Sequence, residues 1–299
     1  MKNVLIIGCG LLGSSLVRKI YKKKLAKKIF IYEKSKKNQK KIKKLKLPGI
    51  IVKKLQEAVS QSELIILSTP MSEYKKIILQ LNNHLTPKHV ITDVGSSKVK
   101  SAEIIKKNLK KKLFWISSHP IAGSEVSGPE HGKPNLFEKK WCVLIKGKKF
   151  NKKHMDYLCA FWRKIGSKVV LMSPEKHDKI FSITSHLPHL IAYNLVKSAQ
   201  DFEKKQNYDL IKFSAGGLRD FSRIAASNEI MWRDIFFDNK INISKAIDLF
   251  IKNLNEFKKD INLKKNNSIL KKLVQTKKVR TKIIKLKQDI DKPDFGRGY

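Results

Sequence analysis

Short apolar runs alternate with amphipathic stretches through the first part of the chain. Val4-Leu5-Ile6-Ile7, Ile29-Phe30-Ile31-Tyr32, Leu64-Ile65-Ile66-Leu67 and Val90-Ile91-Thr92 are too short for helices and carry almost no polar position. Such runs predict strands buried on both faces, as in a parallel sheet covered by helices. Leu113-Phe114-Trp115-Ile116, Trp141-Cys142-Val143-Leu144-Ile145 and Lys168-Val169-Val170-Leu171 extend the series. Between them helical spacing recurs over 14–20, around 57–59, over 74–81 and over 155–165. Repeated strand–helix units predict an α/β fold centred on a doubly wound, Rossmann-like parallel sheet.

After Ser173-Pro174 the texture changes. From 176 to 290 no strand pattern is visible, and amphipathic helical periods cover 184–196, 215–235, 243–257 and 268–286. The expected division is therefore residues 1–173, a dinucleotide-binding α/β domain, and 174–299, an all-helical domain ending in a basic helix and tail. The helical periods carry more apolar faces than one small core needs, which predicts burial against a second copy. No repeat of 20–50 residues is present.

At 299 residues the chain can bury two ordinary cores, and 41% hydrophobic content fits a globular protein. The formal charge of +40 is extreme and, taken alone, suggests nucleic acid. Only seven of the 65 cations are arginine, however, and the lysines are scattered along almost every segment. Phosphate and base recognition draw on arginine with interleaved aromatics. The charge therefore reads as a solvated surface, with no specific nucleic-acid partner. Cys9, Cys142 and Cys159 are odd in number and lack metal-ligand spacing, which points to free thiols in a reducing cytoplasm and to no metal. The four apolar residues before Cys9 fall short of the roughly 7–15 of a signal core. No run approaches the ~18 apolar residues of a membrane span, so no membrane partner is expected.

The first strand leads straight into Gly8-Cys9-Gly10-Leu11-Leu12-Gly13 and then a helical period. This is the dinucleotide fingerprint in its strand–turn–helix context. Gly8 permits the tight turn, Gly10 lets the backbone approach a pyrophosphate, and Gly13 lets the helix pack closely. Leu11 and Leu12 open that helix, whose amides and partial positive charge suit phosphates. The second strand ends in Glu33, twenty residues after Gly13. A carboxylate there accepts hydrogen bonds from the adenosine ribose and repels a 2′-phosphate, which favours NAD. The adjoining Lys34, Lys36 and Lys37 keep NADP open. Ser68-Thr69-Pro70 ends the 64–67 strand and is expected to border the same cofactor, because ligands bind beyond the carboxyl ends of such strands.

A second loop carries the candidate chemistry. The run at 113–116 is expected to be a buried strand leading to Ser117-Ser118-His119-Pro120-Ile121-Ala122-Gly123-Ser124-Glu125, with Pro120 blocking further ladder pairing. A histidine at such a strand end can exchange a proton with a substrate near neutral pH. Three of the seven arginines, Arg219, Arg223 and Arg233, cluster within fifteen residues. In a lysine-rich chain that cluster suggests bidentate carboxylate binding. His186 and His189 lie on a predicted helix nearby in sequence.

Taken in order, the glycine loop, Asp93-Val94-Gly95-Ser96-Ser97-Lys98, His119-Pro120-Ile121-Ala122-Gly123 and Ser185-His186-Leu187-Pro188-His189 form a distinctive set. Gly216-Gly217-Leu218-Arg219-Asp220-Phe221-Ser222-Arg223-Ile224-Ala225 and Met231-Trp232-Arg233-Asp234 complete it. The set resembles the prephenate/arogenate (cyclohexadienyl) dehydrogenase family of tyrosine biosynthesis, from residue 3 to about residue 260. The tail Pro293-Asp294-Phe295-Gly296-Arg297 resembles the ending of some bacterial cyclohexadienyl dehydrogenases.

The resemblance implies oxidative decarboxylation of prephenate (or arogenate) to 4-hydroxyphenylpyruvate (or tyrosine), with hydride transfer to NAD(P), by a homodimer. It implies that His119 is the base and that Ser96, with Ser97 as second choice, orients the substrate hydroxyl or the nicotinamide end. It implies that Arg223 clamps the ring carboxylate and that His189 and His186 assist recognition. Trp232 and Arg219 are placed behind these groups or at the dimer face. The fingerprint begins at Gly8, so no chorismate mutase is expected before it, and no regulatory module is expected after about residue 260. Two other readings compete: a β-hydroxyacid dehydrogenase, which would lack the His119-Pro120 loop, and a basic nucleic-acid-binding protein.

Overall fold

The computed structural model describes residues 3–147, 149–207 and 209–286. The tail resemblance at 293–297 lies outside the described residues. The first third alternates β1 (Asn3–Ile7), α1 (Leu11–Lys22), β2 (Lys28–Tyr32), α2 (Lys36–Lys44), β3 (Ile50–Ile51), α3 (Leu55–Ser60), β4 (Leu64–Leu67), α4 (Tyr74–Leu81), β5 (Val90–Asp93) and α5 (Val99–Asn108). The five strands form one parallel sheet in the order β3-β2-β1-β4-β5. Alternate residues of the central strands face opposite layers. Val4, Ile6, Leu64 and Ile66 pack with Leu16, Val17 and Ile20 of α1, while Leu5, Ile7, Ile65 and Leu67 pack with Ile77, Ile78 and Leu81 of α4. Both faces are covered, which explains why these strands read as unbroken apolar runs.

A second sheet follows, made of β6 (Ser118–Pro120), β7 (Trp141–Ile145) and β8 (Lys168–Met172), with α6 (Lys152–Ile165) between the last two. β7 and β8 are parallel, but β6 runs antiparallel to β7. Two expectations are corrected here. The apolar run at 113–116 is not a strand, since it makes only an isolated bridge between Trp115 and Ile91. Pro120 does not end pairing: it sits opposite Cys142, and Ile121 N–H donates to Trp141 O at 2.7 Å. β6 is an edge strand of an antiparallel pair, where only alternate residues bond inward, so a missing N–H there costs no ladder bond.

The helical part begins with α7 (Pro174–Phe181), whose first turn is capped by Ser173 accepting from Lys176 N. A π-helical turn, Ser182–His186, carries the chain into α8 (Leu187–Gln206). Pro188 supplies the reason, because it has no N–H to close onto the carbonyl of Thr184 and its ring would crowd that carbonyl. Then come α9 (Gly216–Ser222), α10 (Glu229–Asp238), α11 (Lys240–Asn262) and α12 (Asn266–Lys285). Asn228 caps α10 by accepting from Met231 N.

The described residues separate into two compact units. The first holds everything up to Val196 together with Ser222–Ile243. The second holds Lys197–Phe221 and the chain from Ser244 onward. Within the second, Asp260 accepts from Ser268 Oγ and Lys272 Nζ (2.5 and 2.8 Å) and ties the end of α11 to the start of α12. Among the described residues, no helix is long and apolar enough to cross a membrane.

Candidate active site

Every strand of the parallel sheet ends on the same edge, and one further rung of hydrogen bonds continues past them. Gly8 N donates to Tyr32 O (2.8 Å), Ser68 N to Ile7 O (2.7 Å) and Val94 N to Leu67 O (3.0 Å). The glycine turn, Ser68-Thr69 and the Val94–Lys98 turn therefore line one carboxyl-end crevice. Gly8 has φ +87°, and a Cβ there would lie 2.7 Å from Ser68 O. At Gly13 a Cβ would lie only 2.2 Å from Gly8 O, so the helix start rests directly on the strand end.

The residues around this turn fit a dinucleotide. Around Gly10 the space a side chain would fill is empty, and no side chain caps the amides that open α1. Ser68 Oγ and Thr69 Oγ1 are buried without a partner among the described residues, which a bound ligand could supply. Glu33 is buried at the end of β2, where Oε2 accepts from Cys9 N and Oε1 from Ser35 N, both at 2.8 Å. The carboxylate therefore braces the glycine turn from the side expected to hold a ribose. Lys34 stays exposed, its Nζ 3.9 Å from Glu73.

The turn after β5 is built on a buried ion pair. Asp93 Oδ2 accepts from Lys98 Nζ (2.7 Å), Tyr74 Oη (3.0 Å) and Gly95 N (3.0 Å), and Oδ1 accepts from Trp115 Nε1 (3.0 Å). Lys98 Nζ also donates to Ser118 O at 2.8 Å, so one ammonium joins β5, the turn and β6. Burial pushes the Asp93 carboxyl up, but the charge and hydrogen bond of Lys98 bring it below its ordinary value. Ser97 Oγ is engaged with Asp238 Oδ2 (3.2 Å) and Met71 Sδ (3.4 Å), while Ser96 is half-exposed on the same turn. Of the two serines, Ser96 is the one not turned into the core.

β6 places His119 beside this turn. Its Nδ1 lies 2.8 Å from His177 Nε2, and His177 Nδ1 lies 2.8 Å from Asp178 Oδ1. Asp178 also accepts from Lys98 N (2.8 Å) and Val99 N (2.9 Å), at the start of α5. Phe181 packs against both rings, with centroids 5.1 Å from His119 and 4.4 Å from His177. Removal from water, then the neighbouring His177, Lys98 and His186, hold the His119 imidazole well below its usual value. The ring is neutral at physiological pH and remains partly accessible.

His186 and His189 continue the cluster. Asn239 Nδ2 donates to Asp178 O (2.8 Å) and to His186 Nδ1 (3.1 Å), and burial brings His186 down to about 4. His189 Nδ1 donates to Ser185 O (2.9 Å), and its ring stacks on Trp232 with centroids 3.8 Å apart. Trp232 Nε1 is buried without a partner among the described residues. Arg223 Nη1 donates to Glu125 Oε2 at 3.0 Å, with the guanidinium half-exposed. Arg219 belongs to the second unit, where its Nε lies 3.5 Å from Asp220 Oδ1.

His119, Ser96, His186, His189, Trp232 and Arg223 thus all fall in the first unit. Sequence reasoning missed His177, Asp178, Asn239 and Glu125 as members, and it quoted Lys98 without a role. One signal was available: an adjacent His-Asp pair directly after a capped helix start at Ser173-Pro174 is an unusual place for two titratable groups.

Comparison with known proteins points to one family. Residues 16–171 match the model for the prephenate dehydrogenase nucleotide-binding domain, and residues 173–276 match that for the prephenate dehydrogenase dimerization domain. The chain is 32% identical to a cyclohexadienyl dehydrogenase of Zymomonas mobilis over 292 residues, 97% of this chain and 98% of the relative. It is 34% identical to a prephenate dehydrogenase of Bacillus subtilis over 262 residues, 86% of this chain and 69% of that one. The crystal structure of prephenate dehydrogenase from A. aeolicus, in complex with hydroxyphenyl propionate and NAD+, superposes with a TM-score of 0.88 at 35% identity. That match covers 95% of this chain and 98% of that one. The chain therefore belongs to the prephenate dehydrogenase family.

Proposed function

We propose that the protein oxidises and decarboxylates prephenate or arogenate with NAD as acceptor, and that His119 is the base. The observation that carries this reading is a neutral, half-buried histidine at the carboxyl-end crevice that also holds a dinucleotide turn. Nicotinamide, when bound, accepts the hydride lost from the ring carbon. His119 takes the proton of the hydroxyl on that same carbon. Electrons of the ring–carboxylate bond then run through the ring to this oxygen, which recovers the proton as carbon dioxide leaves and the ring aromatises. Arg223 holds the ring carboxylate by sharing or displacing Glu125, and Ser96 orients the hydroxyl. His186, His189 and Trp232 assist recognition of the substrate's carboxylate or side chain, and Arg219 serves that recognition or the dimer face. Gly8, Gly10, Leu11, Leu12 and Gly13 receive the pyrophosphate, Glu33 the ribose, and Ser68, Thr69 and Pro70 the nicotinamide half.

The functional division falls at residue 173, a reading supported by the two family models, which meet there. The assembly is a homodimer. Its support is the match to a dimerization domain and the apolar side chains that α11 and α12 leave exposed, among them Leu249, Leu254, Leu270 and Leu273. Three free, buried cysteines support a cytoplasmic setting.

The test is reduced-nicotinamide absorbance with prephenate and arogenate, each against NAD and NADP. His119→Asn lowers kcat by roughly 10²–10⁴ with little change in KM. Arg223→Ala acts mainly on KM, since hydrogen bonds to charged groups contribute about 1.5–3 kcal/mol, or roughly 10–150-fold. No turnover with either substrate, or His119→Asn at wild-type kcat, overturns the reading.

A further inference from the structure

The hydrogen bonds around Asp178 determine more than the position of His119. Each group that meets the Asp178 carboxylate is a donor: Lys98 N and His177 Nδ1 at Oδ1, and Val99 N at Oδ2. A carboxylate held by backbone amides only accepts, so the proton between it and His177 belongs to His177 Nδ1. Burial, opposed in part by Asp178, holds His177 below its ordinary value, so this ring is neutral and its Nε2 carries a lone pair. That lone pair lies 2.8 Å from His119 Nδ1. Two lone pairs cannot share that distance, so His119 carries its proton on Nδ1 and keeps Nε2 bare.

We propose that His177, oriented by Asp178, is a positioning residue that fixes His119 in the Nδ1–H tautomer, leaving Nε2 as the base. This deepens the reading of His119 as base and rests on it. A neutral imidazole in water exchanges between two tautomers, and only one of them offers a lone pair to the substrate hydroxyl. Here the choice is made in the fold before substrate arrives, because the chain begins at the amides that open α5. When Nε2 takes the hydroxyl proton, the imidazolium charge is shared through Nδ1–H with His177 Nε2 and, beyond it, the Asp178 carboxylate. The other charged and titratable groups facing His119 are Lys98 from the turn before α5 and His186 from the π turn, while Asp93 acts on His177. Neither the Lys98 ammonium, committed to Asp93 and Ser118, nor His186, bonded to Asn239, competes for His119 Nδ1.

Three substitutions separate this role from simple packing. His177→Gln keeps an acceptor oxygen near the place of Nε2, whereas His177→Phe keeps the ring and its contact with Phe181 but has no acceptor. A positioning role predicts that the Gln variant holds kcat within about tenfold, while the Phe variant loses roughly 10²-fold or more at nearly unchanged KM. A packing role predicts the reverse order. Asp178→Leu removes the acceptor of His177 Nδ1–H, so nothing holds that proton in place and His119 exchanges between its two tautomers. The tautomer is read directly by ¹⁵N-detected NMR of the substrate-free protein: Nε2 bare in wild type, both nitrogens partly protonated in Asp178→Leu and in His177→Phe. A Phe variant as active as the Gln variant, or a His119 held wholly as Nδ1–H in His177→Phe, overturns the proposal. His119→Asn is run alongside. If it retains turnover the base assignment itself falls; if it is inactive while Phe and Gln are equal, only the positioning role falls.

Discussion

Lys98→Met tests the ion pair on which the turn after β5 is built. Both members are fully buried, and among the described residues Lys98 Nζ is the only charged partner of an Asp93 carboxylate that otherwise meets Tyr74, Trp115, Ser117 and Gly95. Removing one partner of such a pair costs about 3–5 kcal/mol, because the remaining charge stays buried without compensation. The neutral donors left on Asp93, Ser117 among them, place the loss toward the lower end, while Ser118 O, stripped of its donor, adds to it. The effect has a definite pH signature. In wild type the Asp93 carboxyl lies below its ordinary value of 3.8, so it adds stability above that pH and loses it as pH falls through the folded value. Without Lys98, burial dominates and raises the folded value above 3.8, so the ionised form becomes a burden that grows as pH rises. Urea unfolding at pH 7 therefore shows a deficit of about 3–5 kcal/mol, and the deficit shrinks toward pH 4 as Asp93 takes up a proton. The double variant Asp93→Asn with Lys98→Met loses less than the two single variants added together. A deficit below about 1 kcal/mol at neutral pH, or one equal at both pH values, would refute the argument.

Two further outcomes follow from the geometry. Gly13→Ala places a methyl 2.2 Å from the Gly8 carbonyl, with backbone on both sides, so α1 must shift; NADH affinity falls at least about tenfold in a fluorescence titration. His186 drops from 6.5 to about 4 on folding, so the unfolded chain binds its proton first and stability declines as pH falls from 6.5 toward 4. The full drop is worth roughly 3 kcal/mol, and Tm against pH is flatter in His186→Leu over that window.

Much of the fold was legible because its strands are covered on both faces. A fully apolar run of four residues has few other places to go, and β1, β4 and β7 lie where the pattern put them. The 113–116 run misled for the same reason: it is buried beside β5 by Trp115 and Ile116, without a partner strand to pair with. The edge position of β6 is a property of its neighbours, and no local signal marks Pro120 as harmless there. In the candidate site, His119, Ser96 and Arg223 could be proposed from the sequence because their motifs carry a recognisable order. His177 and Asp178 could not, since their function comes from meeting a loop 58 residues earlier, a contact that leaves no periodicity. Asn239, which joins Asp178 to His186, has the same character.

The π turn at Ser182–His186 bears on which sequence changes this chain can accept. His177 and His186 are nine residues apart, and nine regular steps of about 100° would set them on opposite sides of the helix. The wide turn absorbs one residue, so Asn239 can reach both Asp178 and His186. The extra residue and Pro188 are therefore a linked pair. Deleting one residue from 182–185 alone forces the proline into a regular helix, at a cost of about 3 kcal/mol. Replacing the proline as well removes that cost and leaves both histidines in phase. A deletion further along α8 has no such partner change, because it swings every later side chain of that helix by about 100°. Relatives of different length should therefore gain or lose a residue at this turn together with the proline, and hold the rest of the helix at constant length.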